Sequence, residues 1–122
     1  MKLTRQRRMR QWGEFEAVRT KGSSAGGRFL VLGAWQNSLI SDRRFGFITS
    51  KKASKKAVTR NLLRRRFREI VRKHGDFLLP NHMIVTIARW RATNATFAEL
   101  EEDWIKTAKK LKIWQNFPAD PS

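Results

Sequence analysis

Lys56-Ala57-Val58-Thr59-Arg60-Asn61-Leu62-Leu63-Arg64-Arg65-Arg66-Phe67-Arg68-Glu69-Ile70-Val71-Arg72-Lys73-His74 is the stretch from which the rest of the chain can be read. At about 100° per residue, Leu63, Phe67, Ile70 and Val71 gather within one arc, the core stripe of an amphipathic helix. Asn61, Arg64, Arg65, Arg68 and Arg72 fall opposite, with no acid among them. A helix face that meets only water usually interleaves Glu four residues before Lys or Arg to relieve repulsion. Here the acid in the same stretch, Glu69, lies outside the basic arc. Arginine's planar fork can grip two phosphate oxygens at once and stack on an exposed base. Asn61 both donates and accepts, which suits a base edge or a ribose hydroxyl. The pattern is that of a helix made to lie against RNA. Gly75 is expected to end it in a left-handed conformation.

Working outward, Ser50 to Lys56 is a basic connection, and a strand over Arg43 to Thr49 precedes it, with Phe45, Phe47 and Thr49 on one face and Gly46 and Ile48 on the other. Phe29, Leu30, Val31 and Leu32 form a buried strand between Arg28 and Trp35, followed by a turn from Gln36 to Asp42. The segment Gly22 to Gly27 reads as a loop or a poorly formed edge strand. Trp12, Phe15 and Val18 recur every third position and predict a short helix from Gln11 to Lys21. After the arginine helix, Pro80 and Asn81 lead into a strand over Met83 to Ala88. A last helix spans Thr96 to Lys112, opened by a Thr96/Glu99 capping box and carrying Phe97, Leu100, Trp104, Ala108 and Leu111 as its inner stripe. The expected organisation is a basic arm over 1–10, mobile until it meets its partner, one domain over 11–113, and a disordered tail over 114–122. Its fold class is α+β, a small mixed sheet with one face packed by helices and the other at least partly free.

Lys and Arg number 27 against 10 Asp and Glu, a formal net charge of +17. A domain so charged repels itself and gains free energy from a polyanion, and nucleic acid is the strongest candidate because each neutralised phosphate releases counterions. A membrane is not expected, because no apolar run approaches the ~18 residues of a spanning helix. Nor is DNA: a recognition helix normally has a second helix packed across it, and none precedes this one. The chain has no cysteine, and its basic start is followed by no apolar segment, so a cytoplasmic protein is the simplest reading. His74 and His82 have plain roles at a helix end and a strand entrance. Glu99, Glu101, Glu102 and Asp103 are explained by the helix dipole and by solubility. No metal-ligand spacing, phosphate loop or nucleophile motif is present, so neither a catalytic group nor a metal site is assigned to the chain.

Arg44-Phe45-Gly46, then Ser50-Lys51-Lys52, then Ala57-Val58-Thr59-Arg60-Asn61-Leu62-Leu63-Arg64-Arg65 resembles the signature of the ribonuclease P protein subunit. Gly13-Glu14-Phe15, Gly22, Arg28-Phe29 and the strand from Ile84 to Arg89 extend the likeness over roughly residues 5–112. The resemblance implies an αβββαβα fold with a left-handed β-α-β crossover, akin to the second domain of a small-subunit ribosomal protein, and therefore a fourth short strand within 22–28. It implies that the chain assists an endoribonuclease whose catalytic centre is RNA, with Mg²⁺ held mainly by that RNA, in removing the 5′ leader of precursor tRNA. The partners would be the catalytic RNA and precursor tRNA. Carried over residue by residue, Arg60, Asn61, Arg64, Arg65, Arg68 and Arg72 would touch the RNA subunit. Phe15, Arg19, Leu32, Lys51 and Lys52 would hold the leader, and Arg44, Lys55 and Lys56 would add RNA contacts. The chain departs from the pattern at Leu62, where the motif has arginine, and at Arg19 and Leu32, where many members place an aromatic or other leader-facing residue. A ribosomal or rRNA-assembly protein is the alternative that composition allows.

Overall fold

A computed structural model describes residues 1–115. In chain order it contains α1 (Trp12–Lys21), β1 (Ser23–Gly26), β2 (Leu30–Gln36), β3 (Arg43–Ile48), α2 (Ala57–His74), β4 (His82–Ala88) and α3 (Phe97–Lys110). Short 3-10 turns cover Arg5–Arg7, Gly75–Phe77 and Trp90–Asn94. The strands lie in the order β1-β2-β4-β3. β2 pairs antiparallel with both β1 and β4, whereas β3 runs parallel to β4 and is joined to it through α2. The αβββαβα order is the expected one, and β1 is the fourth strand.

β2 and β4 read as nearly continuous apolar runs because helices cover both faces of the sheet. On one face Leu30, Leu32, Phe45 and Ile84 pack with Leu63, Phe67, Ile70 and Val71 of α2 and with Leu100, Trp104 and Ala108 of α3. All of α2's expected core stripe is buried. The Trp104 indole N–H donates to Thr86 Oγ1 at 3.1 Å, so this buried ring leaves no polar atom unpaired. On the other face α1 lays Val18 against Met83 and Val85, with Phe15, Trp35, Ile48 and Ile87 around them. That face is thus half covered and, as expected, partly free. Gly46 is where the backbone must be bare: a Cβ there would stand 2.5 Å from the Phe15 ring.

Several expectations change. The basic arm is docked: Met9 is buried and its N–H donates to Phe45 O at 2.8 Å, and Arg7 pairs with Asp42 at 2.5 Å. A sheet-edge carbonyl of β3 and the carboxylate of Asp42 just before that strand give the arm these partners, which composition does not reveal. Gly75 is right-handed (φ −57°, ψ −32°), because the chain continues into the Gly75–Phe77 turn. Trp12 is 75% exposed, although its spacing suggested a core position. The acids of α3 are not merely surface charges. Asp103 is buried, accepting the Arg28 N–H at 2.9 Å and the Phe29 N–H at 2.8 Å, and so ties α3 to the entrance of β2. Glu101 pairs with Lys73 at 2.6 Å and His74 at 2.7 Å, tying α3 to the end of α2. The Thr96/Glu99 capping box forms as expected. Trp114, at the start of the expected tail, bridges to Leu78, and Gln115 N–H donates to Phe77 O at 2.6 Å. Residues 116–122 lie outside the described residues.

Replacing Asp103 by Ala leaves the buried Phe29 N–H and the part-buried Arg28 N–H without partners, and an unpaired buried donor costs ~1–3 kcal/mol. Urea denaturation of Asp103→Ala is therefore expected to show a loss of roughly 2–5 kcal/mol, against near-native stability for Glu102→Ala on the exposed side of the same helix. Equal midpoints for the two variants would contradict the clamp. A second prediction concerns Glu14, whose carboxylate accepts from Arg44 at 2.9 Å and from the Arg10 and Gln11 N–H groups at 3.2 Å. Partial burial opposes its ionisation, but the Arg44 hydrogen bond, the two backbone donors and the Arg44 charge together hold it below the ordinary 4.5. Because the folded value is lowered, the stabilisation is present above pH 4.5 and is lost as pH falls through the lowered value. Glu14→Gln should flatten that acid limb of the stability profile; an unchanged limb would rule the contribution out.

Candidate nucleic-acid interface

Burying Leu63, Phe67, Ile70 and Val71 leaves α2 no choice about its other side. Arg65 and Arg68 are exposed and make no hydrogen bond or ion pair among the described residues. Arg64 is half-buried, donating to Thr49 Oγ1 at 2.7 Å and to Asn61 Oδ1 at 3.0 Å, so its fork is held at a fixed place on the helix face. Arg72 pairs with Glu69 at 3.1 Å, which partly neutralises that end of the row. Arg60 donates to Ser54 O and Lys55 O at 3.0 and 2.9 Å and shapes the preceding loop. Arg66, one turn on from Leu62 where the motif has arginine, does not replace it on the basic face and donates to Ala95 O at 3.0 Å. Its guanidinium braces α2 against the turn before α3. Of the expected contacts, Asn61, Arg64, Arg65 and Arg68 thus form the helix face, with Arg60 and Arg72 bonded at its ends.

The loop that opens α2 is anchored by Ala53, which is buried, and by the Ala53 and Ser54 N–H groups donating to Ser50 O. With its small residues turned inward, Lys51, Lys52, Lys55 and Lys56 are all exposed. Arg44 lies near the other end of β3 and spends one guanidinium nitrogen on Glu14.

Two concavities adjoin this basic surface. One, of about 200 Å³, lies between the arm, α1 and α2 and is lined by Arg8, Arg10, Arg64 and Arg68 around Phe15, Phe47 and Met9. The other is a groove of about 350 Å³ between α1 and the sheet. Its wall is Trp12, Phe15, Glu16, Val18 and Arg19, and its floor includes Val31, Gly33, Ile48, Val85 and Ile87. Phe15 borders both, so the cation-rich pocket and the apolar groove adjoin at that ring.

The expected leader residues separate here. Phe15 and Arg19 line the groove. Leu32 does not: it is fully buried on the opposite face against the helices. Successive side chains of a strand alternate between faces, so its neighbours Val31 and Gly33 occupy the position assigned to it. A continuous apolar run carries no marker of that parity, which is why the sequence alone misplaced it. Trp12, Arg8 and Arg10 were also not assigned to a site; the signal available for Trp12 was only its neighbourhood to Phe15. The chain's acids are concentrated elsewhere, with four of its ten on α3. Among the described residues no group of three or more His, Asp or Glu side chains is placed to hold a metal ion.

Comparison with known proteins gives a consistent result. The ribonuclease P family model matches residues 3–112. A ribonuclease P protein component from Syntrophomonas wolfei is 38% identical over 112 residues, covering 92% of each chain. The solved RNase P protein of Staphylococcus aureus superposes with a TM-score of 0.81 at 28% identity, covering 89% of this chain and 98% of that one. That of Thermotoga maritima gives 0.75 at 25% identity, covering 84% and 96%.

If the α2 face meets phosphates, removing one guanidinium should lower the dependence of RNA affinity on salt. Arg65→Ala and Arg68→Ala are each expected to weaken binding to a bacterial RNase P RNA and to reduce the log–log salt slope by about one unit. Arg66→Ala should act on thermal stability and leave the slope alone. Unchanged slopes for Arg65→Ala and Arg68→Ala would exclude this face.

Proposed function

The chain belongs to the ribonuclease P protein family, and from that premise we propose that its two RNA-facing surfaces divide the work, with α2 gripping the catalytic RNA and the α1–sheet groove holding the 5′ leader of precursor tRNA. As a ribonuclease P protein component it is part of a tRNA-processing endoribonuclease and associates with RNase P RNA. The ribosome-associated reading that composition allowed gives way to the family match over residues 3–112. No helix among the described residues is long and apolar enough to cross a membrane.

One observation carries the proposal: Arg64 and Arg68 of the α2 face also line the pocket that shares Phe15 with the groove. An RNA lying on α2 and a strand lying in the groove are thereby brought side by side, with Arg8 and Arg10 between them. Two polyanions held this close repel each other, and guanidinium groups interposed between them lower that cost. Lys51, Lys52, Lys55 and Lys56 extend the same field along the loop. Hydrolysis is assigned to the RNA, together with the Mg²⁺ that supports it. Among the described residues no cluster of three or more His, Asp or Glu side chains is placed to hold the ion, and the contribution assigned to this chain is binding and positioning.

Reconstitution tests the division directly. A bacterial RNase P RNA at low Mg²⁺ is expected to cleave a 5′-extended precursor tRNA at the mature end only when this protein is present. Phe15→Ala should raise the Kd for the leader-bearing precursor, by roughly fivefold to tenfold for a lost stacking contact, and spare binding to the catalytic RNA. A variant that impaired only assembly with that RNA would show the groove to be wrongly assigned.

A further inference from the structure

The groove reading leaves open which part of a nucleotide enters, and the groove's own chemistry decides it; this inference rests on the groove holding the leader. Its floor of Val31, Gly33, Val85 and Ile87 offers no partner to a phosphate, and its neutral polar side chains, Ser23 and Ser24, carry no charge to hold one. The charged groups in its wall are Glu16 and Arg19, which form an ion pair with each other. Glu16 is the less exposed partner, 28% accessible against 72% for Arg19. A carboxylate there repels phosphate oxygens but accepts hydrogen bonds from a base. Four residues before Glu16 on the same helix, and so one turn away, stands Trp12, a 75% exposed ring of the kind on which bases stack.

We propose that this groove takes a nucleobase and that Glu16, with Arg19 beside it, makes it select guanine. Guanine is the one RNA base that offers a carboxylate two adjacent donors, N1–H and the 2-amino group, with the O6 acceptor next to them. Adenine and cytosine present one amino group beside a ring nitrogen acceptor that a carboxylate disfavours. Uracil presents a single N–H between two carbonyls. The Glu16–Arg19 pair supplies the complement, an acceptor for the two donors and a cation for O6. In the free protein the two side chains satisfy each other at the surface, where such a pair is weak and easily rearranged. Phosphates of the same strand then stay outside, near the lysine loop and the arginine pocket. Glu16 is thus assigned as a specificity-determining residue of the leader site.

The test uses the reconstituted holoenzyme and precursor tRNAs whose leaders are uridine throughout except for one guanosine moved through successive positions. At one position guanosine should tighten binding by roughly tenfold over uridine. Inosine at that position, lacking the 2-amino group, should lose most of the gain. Glu16→Gln should abolish the guanosine advantage, bringing the guanosine and all-uridine leaders to equal affinity, whereas Trp12→Ala should weaken every leader and keep the advantage. No favoured position for guanosine, or an advantage that persists in Glu16→Gln, would overturn the inference while leaving the groove reading intact. Leaders that add no affinity over a leaderless tRNA would instead remove the groove reading itself.

Discussion

The structure depends on the burial of one stripe of α2. Leu63, Phe67, Ile70 and Val71 form the centre of the core on one face of the sheet, and a helix that commits one side to apolar contact must present the other to its surroundings. Here the other side is arginine. The same packing sets the crossover from β3 to β4, so α2, its lysine loop and the sheet edge are positioned by one set of contacts. Fold and RNA-facing surface are in this sense a single solution.

A chain with a formal charge of +17 cannot place its cations at random without cost. This one spends its acids on joints. Asp103 ties α3 to β2, Glu101 ties α3 to α2, Glu14 ties α1 to β3, and Asp42 holds the arm. These four carboxylates hold elements together, whereas Glu69, paired with Arg72, dilutes one end of the basic face. Glu16 differs from those four, because its partner Arg19 lies on the same turn of α1 and the pair braces nothing beyond it.

Much of this was legible in the sequence because the signals were local. The 3.6-residue stripe of α2, the Thr96/Glu99 capping box and the alternation of Phe45, Gly46, Phe47 and Ile48 depend only on neighbours within a few residues. Most of the errors needed information from distant parts of the chain. Leu32 was placed on the wrong face because a run buried on both sides has no visible parity. The arm was read as free because its partners are sheet-edge groups of Phe45 and the carboxylate of Asp42. Asp103 was read as a surface charge because the N–H groups it receives are 74 and 75 residues away. Arg66 sits among motif arginines and yet is structural, since its acceptor, Ala95 O, lies beyond β4.

The central claim is that one small domain holds two RNAs on two adjoining surfaces. Site-specific cross-linking tests it most directly, with a photoreactive side chain at position 65 on the α2 face and, separately, at position 31 in the groove, each in the complex with RNase P RNA and precursor tRNA. The account predicts cross-links from position 65 to the catalytic RNA and from position 31 to the 5′ leader. Cross-links from position 31 to the catalytic RNA, or from position 65 to the leader, would contradict it.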